Sequence, residues 1–383
     1  MKTKREIWIW VTALMAAVLL VGACVKTHNP DGKGRADDGW SIVGDNVPIS
    51  FAAKIAGEVE TKTSSPLPTS TNFRVFCFYQ PGVVDDDPAV DYVGTWDDLS
   101  INHWTPNFMF DQAVTRNDNG TPADDTDDYW GYSPVKYWPN NQENTLTFWA
   151  YSPYYGDEDI LKLYKTNSDD DYASDVPGTP EAQFTTDGTR DLLVSDLAQD
   201  LSYRGGDPST VTLQFHHTTS WIDFRVKKVD DSDDYDIVLL SITLEDICNT
   251  AVYSLSGWGG AWNRVDFTAY DCDDDINDDG TELDKDEEDR ITFPAGGNKL
   301  LLIPQALRNT TANLKVVYTF HEKGAGGSPT EYEENVLLGS LTTRWEEGKH
   351  YTYKVNISPG NPILFTTYVG AWDSEQNGYF NVN

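Results

Sequence analysis

Residues 129–141 read YWGYSPVKYWPNN and run directly into QENTLTFWAYSPYYG at 142–156. Tyr129, Trp130, Tyr132, Tyr137 and Trp138 are aromatic, and Pro134 and Pro139 are interleaved with them. Three readings compete: an exposed platform for sugars, a catalytic loop, or a buried corner of a β-sheet. A sugar platform usually spaces its aromatics among polar residues. Here they lead into TLTFWAY, in which Leu146, Phe148 and Ala150 alternate while Trp149 and Tyr151 fill the positions between. Apolar residues at both parities describe a strand covered on both faces. The prolines stiffen the approach to it. Tyr and Trp can bury their rings at a sheet edge while the polar tips find partners. The stretch is therefore expected to be a β corner, with Trp138 inside.

The same period of two recurs along the chain. Phe73, Val75, Cys77 and Tyr79 alternate in FRVFCFY, and Phe76 and Phe78 make its second face apolar. Ile222, Phe224 and Val226 alternate, as do Tyr351, Tyr353, Val355 and Ile357; 314–320 and 363–369 read alike. Helical spacing is almost absent, and Gly, Pro, Asn and Asp punctuate at short intervals. The fold class is all-β, and 383 residues suggest two β-sandwich domains. The polar stretch QDLSYRGGDPSTV at 199–211 carries Gly205, Gly206 and Pro208 and marks the seam. The expected domains are 46–203 and 204–383.

The first residues carry a basic head (Lys2, Lys4, Arg5), an uncharged apolar run from Ile7 to Val21, and small residues Gly22 and Ala23 before Cys24. This is a secretory signal over 1–23, in the variant that leaves a bacterial lipoprotein acylated on Cys24. The run of about 15 residues falls short of the ~20 that span a bilayer. Residues 24–45 are nearly devoid of apolar side chains before Trp40 and read as a flexible tether. The expected location is the outer membrane and cell surface, with the membrane reached through the lipid anchor.

With 28 basic and 62 acidic residues the net charge is −34. Nucleic acid is excluded as a partner, because phosphate binding needs clustered Lys and Arg. Apart from Cys24, the cysteines are Cys77, Cys248 and Cys272. They allow at most one disulfide among them, and the pair cannot be read from sequence.

Motifs for catalysis are missing. No serine sits in G-x-S-x-G, the six histidines form no H-E-x-x-H, and no glycine loop has phosphate-cradling spacing. His216 and His217 are neighbours in a strand-like run and should point to opposite faces. The chain is not expected to be an enzyme. DINDDGTELDKD at 275–286 resembles a calcium loop: Asp275, Asn277 and Asp279 at positions 1, 3 and 5, Gly280 at 6, the Thr281 carbonyl at 7 and Asp286 at 12. Glu282 and Asp286 depart from the pattern, and a solvated acidic loop would match it by composition. Ca²⁺ is the one cofactor this chemistry suggests. A rival reading of the whole chain is a surface glycan-binding lipoprotein using Trp258 and Trp262 in SGWGGAWN.

YSPVKYWPNN followed by LTFWAYSPYYG is similar to a stretch of the fimbrillin family, the fimbrial-subunit and Mfa-like lipoproteins of Gram-negative gut and oral bacteria. Further segments agree in order: VPISFAAKIAGEVETKT (47–63), FRVFCFY (73–79), DLLVSD (191–196), VTLQFHHTTSWIDFRV (211–226), LLLIPQ (300–305), WEEGKHYTYKVNI (345–357) and VGAWD (369–373). At 219–220, Thr219 and Ser220 replace a residue that is commonly apolar in the family. The resemblance implies two transthyretin-like, Greek-key sandwiches in a non-enzymatic fimbrial subunit or adhesin. It implies partners of two kinds, other fimbrial subunits joined by β-strand complementation and host or bacterial surface ligands. In such subunits, cleavage after a basic residue releases the first strand, and a neighbour's strand fills the groove. Mapped here, 47–56 is the removable strand, Lys62 stands where the family usually has Arg, and Ile363 to Asn383 is the donor.

Overall fold

The computed structural model describes residues 47–56, 65–68, 71–80, 106–120, 128–141, 143–157, 159–165, 180–204, 209–229, 234–271, 280–286, 288–291, 299–358 and 361–372. Cys24, Lys62, Asp275, Asn277, Asp279, Cys272 and the expected tether lie outside them. In chain order the strands are β1 (Ser50–Ile55), β2 (Ser65–Pro66), β3 (Phe73–Gln80), β4 (Met109–Asn117), β5 (Tyr129–Gly131), β6 (Thr145–Ser152), β7 (Leu161–Lys165), β8 (Pro180–Thr185), β9 (Leu193–Ser195), β10 (Ala198–Leu201), β11 (Thr210–His217), β12 (Ser220–Lys228), β13 (Tyr235–Ser254), β14 (Gly257–Asp271), β15 (Thr281–Glu282), β16 (Asp289–Ile291), β17 (Leu300–Leu302), β18 (Asn313–Glu322), β19 (Thr330–Leu337), β20 (Lys349–Ile357) and β21 (Leu364–Ala371). A single helical turn, α1 (Leu338–Leu341), follows β19. The chain is all-β, as the alternation requires.

The first sheet runs β2-β1-β11-β9-β6-β3-β4-β5, with β10 on β6. Its strands β3 and β6 are apolar on both faces because each face has its own core. Phe73, Val75 and Cys77 join Leu146, Phe148 and Ala150 in one cluster with Phe51, Trp130, Trp138 and Phe215. Strands from opposite ends of the order meet in that cluster: Phe51 of β1 lies 5.4 Å from Tyr132, next to β5, so the sheet curls around its own interior. The other parity, Phe76, Phe78, Trp149 and Tyr151, packs with Phe184, Ala251, Tyr253 and Ile303 in a second cluster.

The remaining strands form two sheets, β16-β12-β20-β21 with β17 on β12, and β19-β18-β13-β8-β7 with β14 and β15 on β13. Their facing sides make the third core. Ile222, Phe224, Val226, Tyr351, Tyr353, Val355 and Ile357 come from one sheet, and Ile237, Leu239, Leu244, Leu314 and Val316 from the other. Two faces interdigitating in this way are a sandwich.

Strand pairing crosses the expected seam in both directions. β11 lies beyond 203 yet pairs with β1 and β9 of the first sheet. β7 and β8 lie before it, yet β8 pairs with β13 over Thr185↔Thr250 to Glu181↔Ser254. Ile42–Asn383 accordingly cluster as one compact unit. Between β11 and β12 the chain changes sheet through Thr218 and Thr219 alone, and the hydroxyls there are bonded. Thr218 N–H donates to the Leu192 carbonyl at 3.0 Å, Thr219 Oγ1 donates to Asp191 at 2.6 Å, and Ser220 Oγ donates to the Glu346 carbonyl at 2.7 Å. This explains the hydroxyls at 219 and 220, where an apolar side chain would leave those acceptors without these donors.

His216 and His217 diverge, as neighbours on a strand must. His216 Nε2 lies 3.4 Å from the Tyr253 hydroxyl. His217 bonds Asp191 through Nδ1 and stacks on Trp372 at 4.1 Å.

Candidate functional site: the seat of the first strand

SFAAKI at 50–55 forms β1 because alternate side chains point inward, with Ile49, Phe51 and Ala53 buried and Lys54 outward. Burying Ile and Phe favours seating by roughly 1.5–3 kcal/mol each. The Phe51 ring is met edge-on by Phe73 at 6.1 Å and Phe148 at 5.9 Å. Its neighbour in the ladder is distant in sequence: β1 runs parallel to β11, in register from Ser50↔Thr210 to Ile55↔Phe215. Bonds at both ends close this ladder, Ser50 N–H to the Ser209 carbonyl at 3.2 Å and Ala56 N–H to the Phe215 carbonyl at 2.7 Å. The hydroxyls of Ser50 and Thr210 meet at 2.7 Å.

The opening stretch supplies the other edge. Ile49 N–H donates to the Lys136 carbonyl at 3.0 Å, and Trp138 N–H donates to the Val47 carbonyl at 3.0 Å. The Tyr132 hydroxyl donates to the Ile49 carbonyl at 2.8 Å. Burial pushes the Tyr132 phenol above its ordinary range, so it remains a donor. At the far end β2 pairs with Lys54 and Ile55, and Leu67 N–H donates to the Ala53 carbonyl at 3.2 Å. β1 is thus a strand seated between β11 and the aromatic corner, tied in by backbone bonds and three inward side chains. Neither the β11 partnership nor the Tyr132 clamp could be read from the sequence, because parallel pairing across some 160 positions leaves no local pattern.

Trp138 is 6% exposed, donates its indole N–H to the Ser209 carbonyl at 3.1 Å and stacks on Tyr203 at 6.4 Å. Trp130 is buried as well, whereas Tyr129 and Tyr137 are exposed. The corner is therefore built into the core, with two rings left at the surface.

The other expected site residues fare differently. Lys62, between the ends of β1 and β2 in sequence, is outside the described residues, as are Cys24 and the first three calcium-loop positions. Thr281 lies in β15 opposite Leu239. Gly280 has φ +63°, and a Cβ there would fall 2.4 Å from Val238 Cγ1. Asp286 is exposed, with its N–H bonded to Asp284 Oδ1 at 2.8 Å. Among the described residues no group of three or more His, Cys, Asp or Glu is placed to hold a metal ion. Cys77 and Cys248 are free, buried thiols.

One expectation is corrected. Trp258 is no open platform: its indole N–H donates to the Thr218 carbonyl at 2.7 Å, and its ring packs on Tyr253 at 5.1 Å and Phe184 at 6.3 Å. The flanking glycines serve a tight turn, Gly257 having φ +94°. The side chain of Trp262 lies outside the described residues. The expected donor, Ile363 to Asn383, is described up to Trp372. Leu364–Ala371 is β21, paired antiparallel with β20 over eight residues, and Trp372 is buried behind it.

The profile of the fimbrillin-like family matches residues 94–372. The fimbrium subunit Fim1C of Phocaeicola vulgatus is 23% identical over 362 residues, covering 85% of this chain and 89% of that protein. The crystal structure of a fimbrial protein from Bacteroides vulgatus superposes with a TM-score of 0.58 at 18% identity, covering 85% of this chain and 99% of the other. The arrangement of sheets and the match over most of the sequence agree, and the chain belongs to the fimbrillin-like family.

Proposed function

We propose that this protein is a non-catalytic fimbrial subunit of the cell surface, exported as a lipoprotein on Cys24 and assembled by exchange of β1. One observation carries the reading: β1 is an inserted strand whose contacts are backbone bonds on both edges and a short row of alternating side chains, Ile49, Phe51 and Ala53. A foreign strand with the same alternation can make all of these contacts. Cleavage at Lys62 would leave β1 attached by these contacts alone. Its departure would uncover the β11 edge, the Lys136–Trp138 edge and the pocket of Phe51. The donor would come from Ile363 to Asn383 of a neighbour, whose Leu364–Ala371 would first leave β20. A two-sandwich division is supported by the cores of the first sheet and of the second pair of sheets, with a third core joining residues from before and after Thr218 and Thr219. Ca²⁺ at Asp275, Asn277, Asp279, Thr281 and Asp286 remains part of this proposal, supported by Gly280 at the turn.

Mass spectrometry of the protein from its native envelope, with unboiled gels, tests the reading. The expected result is a mature N-terminus at Thr63 and a heat-sensitive ladder of oligomers. An acylated N-terminus at Cys24 in a protein that runs only as a monomer would rule out assembly by loss of β1.

A further inference from the structure

A groove of about 690 Å³ opens between the start of β1, β4, β5 and the corner at Ser133–Val135. That volume lies within the roughly 300–1,000 Å³ of small-molecule sites. We propose that this groove binds an uncharged oligosaccharide, with the Tyr129 ring as its stacking face. The site proposed is that of the subunit with β1 in place.

The first support is the ring itself. Tyr129 is 50% exposed and belongs to no hydrophobic cluster, yet it is held in place. Its hydroxyl accepts a bond from Asn117 Nδ2 at 2.9 Å, and the ring lies against Gly131, where a Cβ would come within 3.3 Å of it. An exposed aromatic fixed at both ends without a packing role is a preorganised surface, and preorganisation lowers the cost of binding.

The second support is charge. The chain carries 62 acidic residues, but among the described residues the lining of the groove includes no Asp or Glu. The cation of the described lining, Arg116, is neutralised by Asp128 at 2.9 Å and sits over the Trp130 ring at 5.5 Å. A neutral wall in a strongly acidic protein suits a neutral ligand.

The third is the polar pattern. Gln112 donates both its amide bonds to backbone, to Ala113 and Ser133 carbonyls at 3.1 Å each, which fixes the amide plane. Thr115 and Ser50 line the same space. A sugar offers C–H faces for the ring and hydroxyls for the amide and hydroxyl groups. The Gln112 Oε1 and the Thr115 hydroxyl remain to meet sugar hydroxyls, and an acidic glycan would find no uncompensated cation among the described lining residues. Pro48, Ile49 and Ser50 form one wall, so the groove is complete only while β1 is seated.

The test is binding of the intact chain to an array of neutral, sialylated and sulfated oligosaccharides, followed by titration of the best neutral one. Tyr129→Ala and Val135→Arg, at half-exposed positions, should keep the wild-type denaturation midpoint and weaken binding by about tenfold or more. The proposal is overturned if no neutral oligosaccharide binds, if only acidic ones bind, or if both variants bind as the parent does. Envelope processing and oligomer ladders do not read this groove, so either proposal can fail without the other.

Discussion

Replacing Trp138 with Ala tests whether the aromatic corner is core. The ring is 6% exposed and touches Phe148 edge-on at 6.2 Å and Tyr203 face-on at 6.4 Å. Deleting a buried large aromatic costs about 3–5 kcal/mol, part transfer and part cavity. Its indole bond adds little of its own, because the Ser209 carbonyl that it meets also accepts Ser50 N–H. Trp138→Phe, which keeps most of the ring and drops that bond, should therefore cost only about 0.5–1.5 kcal/mol for the bond. Urea titration of both variants gives the two values from midpoints and slopes. A loss below about 1 kcal/mol for Trp138→Ala would refute burial. Equal losses for both variants would instead assign the stability to the indole bond.

Three further outcomes follow from the geometry. Gly280→Ala should destabilise by about 1–3 kcal/mol, because a Cβ would collide with Val238 Cγ1 at 2.4 Å and the Leu239 carbonyl at 2.7 Å in a φ of +63°; an unchanged melting curve would contradict this backbone. The Lys315 ammonium bonds Glu245 at 2.7 Å and holds its carboxyl below the ordinary range, so the pair stabilises above the unfolded glutamate pKa and ceases to as pH falls through the depressed one. Lys315→Met should cost about 0.2–1 kcal/mol at neutral pH and nothing in strong acid; an equal cost at both would mean that packing, not charge, is lost. Burial raises the Cys77 thiol well above its usual pKa, so iodoacetamide should label it only after unfolding, and labelling of the native protein would place it at the surface.

The double-faced strands were legible because a side chain's parity decides its core. Phe73, Val75 and Cys77 went one way and Phe76 and Phe78 the other, as alternation requires. Burial of Trp138 was legible too, from the strand that follows it. Pairing partners were not. Nothing local in PEAQFT at 180–185 says that it joins Thr250–Ser254, because the two were brought together by a shared core and not by a turn. Trp258 misled for a related reason: glycine on either side suggested exposure, while the partner that buries the ring, Phe184, lies far back in sequence. Of the candidate site, the sequence showed the alternation of β1 but not the β11 edge on which it rests. The groove was hidden because Tyr129 and Trp130, adjacent in the chain, face solvent and core respectively.

The short crossing at Thr218 and Thr219 has a mechanical consequence. Two bonded residues are too few to act as a hinge; Leu192 holds Thr218, Asp191 holds Thr219, and Glu346 holds Ser220 next to them. A second tie is β13, one strand of 20 residues whose first part belongs to the sandwich core and whose last part, Ala251 and Tyr253, belongs to the core shared with β3 and β6. A pull applied at one core reaches the other along the covalent backbone of a paired strand, with bulges in its ladder, and not through a loop. Such a subunit transmits tension without lengthening, and a filament made of it would bend at the joints between copies.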